Sequence, residues 1–232
     1  MILLSPPLAS GAGELLLYTL DAPPLTYVEG IPGHGSVGDV VLAAIAQAGD
    51  SVQLRSEPWA RAQKRVSEGH HLLIMPLSRT PQRENLFTWI APIQPMDRAF
   101  FTLDRRVESL SDAKARLRYI GVGHGSAQHE ILLAEGFAPE HIHPLAIGES
   151  PARLLALGRI DAWFNGVPES LSIWRDYSQQ PLLMSPVVHS LDLYLACSKE
   201  CDRALVKRLR LAVEDLQRDG SAQRLQDAYL LR

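Results

Sequence analysis

Apolar and polar positions along the chain follow two rhythms. Short apolar or alternating runs mark strands at 14–19 (ELLLYT), 51–56, 119–122, 142–145, 160–165 and 191–196. Helical spacing marks Val37, Val40, Val41, Ala44, Ile45 and Ala48, a helix that Gly49 closes. Pro58 opens a second helix that stops at Gly69, and the Ser109-Leu110-Ser111-Asp112 cluster caps a third running to about Arg116. Further helices are expected over 127–135, 150–157 (stopped by Gly158), 168–174, 202–217 (stopped at Gly220) and 221–229. The apolar run Leu72–Met75 reads as a buried strand ended by Pro76, since proline has no N–H for a sheet ladder. Arg98–Leu103 reads as a separate strand. Strands and helices that alternate over the whole chain predict an α/β protein with largely parallel sheets.

Composition changes this picture little. The 232 residues suffice for one large domain or two small ones, and 46% hydrophobic with 21% charged residues is ordinary for a globular chain. A net charge of −3 without basic clustering argues against nucleic acid as a partner. No apolar run approaches the roughly 18 residues of a membrane span. Residues 1–13 (MILLSPPLASGAG) end in small residues like those of a signal-peptidase site but lack a positive n-region and a full apolar core. They read as a signal-peptide remnant or a disordered leader.

Three stretches carry candidate chemistry. The loop Ser78-Arg79-Thr80-Pro81-Gln82-Arg83-Glu84 follows a strand, where open α/β sheets place ligands, and an arginine there can fork a carboxylate. The same arginines are equally compatible with a solvated loop. Gly123-His124-Gly125-Ser126 leads into a helix whose first N–H groups form an anion corner, or an ordinary turn. Cys197 and Cys201 are too far apart for a C-x-x-C redox motif and make no zinc site. In an oxidising compartment a turn through Ser198-Lys199-Glu200 lets them bridge; two free thiols are the alternative. The eight histidines, including His70-His71 and His141-x-His143, form no metal-ligand constellation, so no metal or cofactor is expected.

Seven short motifs, each weak alone, occur in an order that resembles a known family. They are Pro23-Pro24 with Tyr27; Gly38-Asp39; Pro58-Trp59-Ala60-Arg61-Ala62 with Gly69; and Ser78-Arg79-Thr80-x-x-Arg83-Glu84 with Ala91-Pro92. Gly121-Val122-x-x-Gly125-Ser126, Leu157-Gly158-Arg159-Ile160-Asp161-Ala162 and Asp219-Gly220 complete the set. Over about 15–229 the chain resembles the amino-acid-type solute-binding proteins of ABC importers (extracellular solute-binding protein family 3). That resemblance implies a type II periplasmic-binding-protein fold, two α/β lobes joined by two crossover strands, with ligand in the cleft between. Lobe 1 would hold about 14–100 plus 193–232 and lobe 2 about 103–190, with Arg98–Leu103 and Leu191–Ala196 as crossovers.

By the same resemblance, Arg83 takes the place of the carboxylate-binding arginine, Ser78 that of a pocket hydroxyl and Trp59 that of an aromatic packing on the ligand. Ser126, Ala127 and Gln128 match the helix start in lobe 2 that contacts the same ligand, and Asn165 and Trp163 lie at the cleft edge. Gly166 stands where the family has an ammonium-binding aspartate, and Met75 and Pro76 where hydroxyls are common, which argues against a standard α-amino acid. Trp89 and Trp174 read as core, and Asp161 as a structural strand-end residue. The implied role is a monomeric periplasmic receptor that passes an amino acid or small carboxylate to an ABC permease or a sensor. A dehydratase-like enzyme using Glu149 or Glu169 as the acid, or a degenerate interaction domain, are the alternatives.

Overall fold

The computed structural model describes residues 14–29, 33–145 and 149–230, so the expected leader at 1–13 lies outside the described residues. In chain order the elements are β1 (Leu15–Thr19), α1 (Gly35–Gln47), β2 (Val52–Ser56), α2 (Trp59–Glu68), β3 (Leu73–Ser78) and β4 (Phe87–Thr102). They continue with α3 (Leu110–Arg116), β5 (Ile120–Gly123), α4 (Ala127–Ala134), β6 (Ile142–Leu145), α5 (Pro151–Ala156), β7 (Ala162–Gly166) and α6 (Val167–Tyr177). The chain ends with β8 (Leu183–Met184), β9 (His189–Ser198), α7 (Arg203–Arg218) and α8 (Ser221–Leu230).

The strands follow the order β2-β1-β3-β9-β4-β7-β5-β6, with β8 paired to β4. Pairing is parallel at both ends of this path, among β2, β1 and β3 and among β7, β5 and β6. It is antiparallel wherever β4 or β9 takes part, so the sheet is mixed rather than largely parallel. β4 and β9 are the two strands that run from one lobe into the other. Arg98 marks the passage, because it pairs both with His189 of β9 and with Gly166 of β7.

Each lobe has its own apolar interior. One is built from Leu17, Val41, Ile45, Leu73, Leu195 and Leu209 on one face of its sheet, and from Ile74, Leu77, Val66 and Trp89 on the other. The second gathers Phe100, Ile120, Val122, Leu132 and Phe164 on one face and Phe101, Leu155, Trp163 and Trp174 on the other. Trp89 and Trp174 are thus core residues, as their setting in the chain suggests. The buried face of α1 holds Val37, Val40, Val41, Ala44 and Ile45, the residues whose spacing predicts the helix. Ser109 caps α3 by accepting a hydrogen bond from the Asp112 N–H.

Two expectations fail at prolines. β3 does not end at Pro76 but continues to Ser78. Its register with β9 shifts between Ile74 and Leu77, so Pro76 sits outside the ladder and owes it no N–H. Likewise Arg98–Leu103 is no separate strand. It is the end of the 16-residue β4, which passes through Pro92 and Pro95 with register shifts on either side of Pro92. Over this first part β4 pairs only with β9, and its other edge tolerates proline. Cys197 and Cys201 are joined in a disulfide, with their Cα atoms 6.0 Å apart across the turn at the end of β9.

Candidate ligand-binding site

A cavity of about 490 Å³ lies between the lobes. The end of β3, the start of α2 and the middle of β4 supply Ser78, Trp59, Met96 and Arg98, and Arg83 comes from the loop after β3. The facing wall is the start of α4 with Ser126, Ala127 and Gln128, the end of β7 with Trp163 and Asn165, and Glu169 from α6. All eight residues expected at a binding site therefore line one cavity, although they come from five separate segments of the chain.

Their individual settings differ. Gln128 Nε2 donates to Asn165 Oδ1 at 2.5 Å, a bond that fixes both amides on the wall. Trp163 is 2% exposed and packs on Phe101 with ring centroids 6.0 Å apart, so its ring is largely core although the residue lines the cavity. Ser126 occupies the N-cap of α4, yet its side chain accepts none of the helix's first amides, and its hydroxyl is buried without a partner among the described residues. Gly125 just before it has φ +70, and a Cβ there would lie 2.8 Å from that of Ala60, so the close approach of α2 to this turn requires glycine.

Arg83 departs from its expected setting. It is 3% exposed, not a solvated cleft arginine, and its carboxylate partner is the protein's own Glu130 on α4. Nε donates to Glu130 Oε1 at 2.9 Å, Nη2 lies 2.7 Å from the same oxygen, and Nη2 also donates to the Gly125 carbonyl at 3.1 Å. Thr80 donates to the other carboxylate oxygen of Glu130 at 2.6 Å. Burial lowers the Arg83 pKa, and Glu130 opposes that shift. Spacing gives no hint of this pairing, because 47 residues separate the partners.

Arg98 is the residue that pattern reading places only as the start of a strand. It is 1% exposed and lines the cavity. Nη2 donates to Ser78 Oγ at 2.6 Å and Nη1 to the Met96 carbonyl at 2.9 Å, while Nε has no partner among the described residues. Burial lowers its pKa to about 10, with Glu169 acting in the opposite direction. The available signal was a charge inside an otherwise apolar run, RAFFTL.

Glu169 brings an acid to the cavity wall beside Gly166, the position at which the resemblance implies an aspartate. A Cβ on Gly166 would meet Glu169 Oε2 at 2.6 Å and Met96 Sδ at 2.6 Å, so the Glu169 carboxylate fills the space beside that glycine. Burial raises the Glu169 pKa to about 7, and Arg98 opposes the rise. Asp21 and Glu149 line the same cavity, Asp21 accepting from the Val28 N–H at 2.7 Å. Asp161 lies outside it and accepts from the N–H groups of Arg118 and Tyr119, which is a structural role. Among the described residues no group of three or more histidine, cysteine, aspartate or glutamate side chains gathers as a metal site.

Comparison with solved structures identifies the architecture. A histidine kinase sensor domain with similarity to periplasmic binding proteins matches with TM-score 0.83 at 18% identity, covering 94% of this chain and 96% of that one. The fold is that of the two-lobed periplasmic binding proteins. The GluR0 ligand-binding core from Nostoc punctiforme, in complex with L-glutamate, matches with TM-score 0.78 at 16% identity over 93% of this chain and 98% of its own. EhuB in complex with hydroxyectoine matches with TM-score 0.80 at 21% identity over 94% and 88%. No family model and no curated protein matches the sequence. In this architecture β4 and β9 are the crossover strands, and the cavity lies in the cleft between the lobes.

Proposed function

We propose that the protein is a monomeric receptor that captures a small polar solute, an amino acid or other small carboxylate, in its inter-lobe cleft. Lobe 1 would comprise about 14–100 with 193–232 and lobe 2 about 103–190. Hinge closure about β4 and β9 would present the loaded form to a permease of an ABC importer or to a sensor in the periplasm. One observation carries this reading: residues from both lobes converge on a single cavity of about 490 Å³, a size typical of small-molecule sites. Neighbours of the same fold described with bound glutamate, histidine or arginine add support. The Cys197–Cys201 disulfide suits an oxidising compartment. The test is a thermal-shift screen of protein unfolded and refolded to strip any bound solute, using amino acids, dicarboxylates and polyamines. A ligand at about 100 times its Kd adds roughly 2.7 kcal/mol, or about 5–10 °C in a chain of this size. A flat response to every compound overturns the reading.

Glu169 favours a second reading. An acid raised to about 7 inside the cleft is half-protonated near neutral pH and suited to donate a proton, as a dehydratase acting on cyclic dicarboxylates requires. Turnover of prephenate that vanishes in Glu169→Gln would establish that reading, and the absence of turnover by the wild-type protein would dismiss it.

A further inference from the structure

We propose that Arg98, not Arg83, anchors the ligand, and that the anchored group is a carboxylate received by the Nε–H of Arg98 with the Ser126 hydroxyl on the facing wall. This rests on the cleft being the ligand site, and it names the group that the cleft selects.

The two buried arginines differ in what they have left to give. The Nε and Nη2 of Arg83 are engaged by Glu130 and the Gly125 carbonyl, and its Nη1 donates to the Ser78 carbonyl at 3.4 Å. Its charge is matched by a carboxylate of the chain, and that pair braces one lobe against the other. Arg98 is as deeply buried, but it spends its two terminal nitrogens on neutral oxygens and keeps one N–H without an acceptor. A buried donor left unmade costs about 1–3 kcal/mol, more for a charged group, so an arginine in this state is poised for an anion. Ser126, which also has a buried hydroxyl without a partner among the described residues, lines the same cavity at the N-terminus of α4, where the helix dipole also favours negative charge. Glu169 and Asp97 both act on the Arg98 charge, and burial raises Glu169 to about 7, so near neutral pH part of Glu169 is uncharged and leaves the arginine open to another anion. Ser78 is then a positioning residue: its hydroxyl holds the Arg98 fork, and its carbonyl touches Arg83.

The test is calorimetric titration of stripped protein with succinate, L-glutamate and L-arginine, each paired with its carboxamide analogue. The proposal expects at least one carboxylate to bind and its amide to bind about 100-fold more weakly, the scale of losing one partner of a buried charged hydrogen bond. Arg98→Met should cost a similar factor, whereas the double variant Arg83→Met/Glu130→Met, which removes the brace as a pair, should retain measurable binding. Circular dichroism and thermal melts establish that each variant folds. Where Arg98→Met does not fold, Ser126→Ala takes its place, with about a 10-fold loss expected for a neutral hydroxyl. A carboxamide binding as tightly as its carboxylate, or wild-type affinity in folded Arg98→Met, overturns the proposal while leaving the receptor reading intact. Failure of all three carboxylates to bind overturns the proposal, and the receptor reading is then decided by the wider thermal-shift screen.

Discussion

Arg83 and Glu130 form an ion pair across the cleft, with Arg83 Nη2 2.7 Å from Glu130 Oε1 and the arginine side chain 4% exposed. Arg83→Ala would leave Glu130 partly buried with Thr80 as its only remaining donor among the described contacts. Breaking a buried pair from one side costs about 3–5 kcal/mol, and the 25% exposure of Glu130 places this case near or below the lower end. Urea denaturation should therefore show Arg83→Ala destabilised by about 2–3 kcal/mol. Arg83→Met/Glu130→Met should recover most of that loss. Equal stability of Arg83→Ala and wild type would mean that the pair contributes nothing.

Glu169 makes stability depend on pH in a definite direction. Its pKa rises from the ordinary 4.5 to about 7 on folding, so between those values the folded chain holds a proton that the unfolded chain has released. Its contribution is fully present below about pH 4.5 and is lost as pH rises towards 7. Wild type should lose up to about 3 kcal/mol more than Glu169→Gln between pH 5 and pH 7.5, as read by urea denaturation at both values. Parallel pH profiles for the two proteins would show that Glu169 does not titrate in this window.

A side chain at Gly166 must displace the ends of the Met96 and Glu169 side chains. Its added Cβ would lie 2.6 Å from Met96 Sδ and from Glu169 Oε2. Gly166→Ala should lower stability by about 1 kcal/mol, the low end of the cost of overpacking, because the atoms it meets are the ends of flexible side chains that can shift. Gly166→Asp should cost more, since a second carboxylate would then face Glu169. Thermal melts of both variants check this. A stable Gly166→Asp would show that the wall yields.

The disulfide closes a short loop, with Cys197 and Cys201 only four positions apart. On chain-entropy grounds a loop of this length contributes about 2 kcal/mol. Reduced protein should unfold at correspondingly lower urea, while Cys197 stays buried in the core beside α7. An unchanged midpoint after verified reduction would count against the entropic account.

What was legible in the sequence is what short-range physics decides. Helical spacing of Val37, Val40, Val41, Ala44 and Ile45 and the stops at Gly49, Gly69 and Gly158 placed helices to within a few residues, because periodicity and backbone freedom act over one or two turns. The order of motifs indicated the two-lobed fold and brought Trp59, Ser78, Arg83, Ser126, Ala127, Gln128, Trp163 and Asn165 to the same cavity. Strand continuity was less legible. A proline reads as a stop unless the register shift that frees it from the ladder is known, and such shifts in β3 and β4 depend on the distant partner β9.

Charge pairing was decided by tertiary structure alone. The sequence placed Arg83 in a ligand loop, but only the approach of α4 supplies Glu130, and only burial separates a satisfied arginine from one with a spare donor. Arg98 and Glu169 lie far apart in the chain, on β4 and α6, and become neighbours because β4 crosses between the lobes beside β7 and the helix that follows it. Electrostatics in a low-dielectric cleft depends on distance and desolvation, and neither is written in residue spacing.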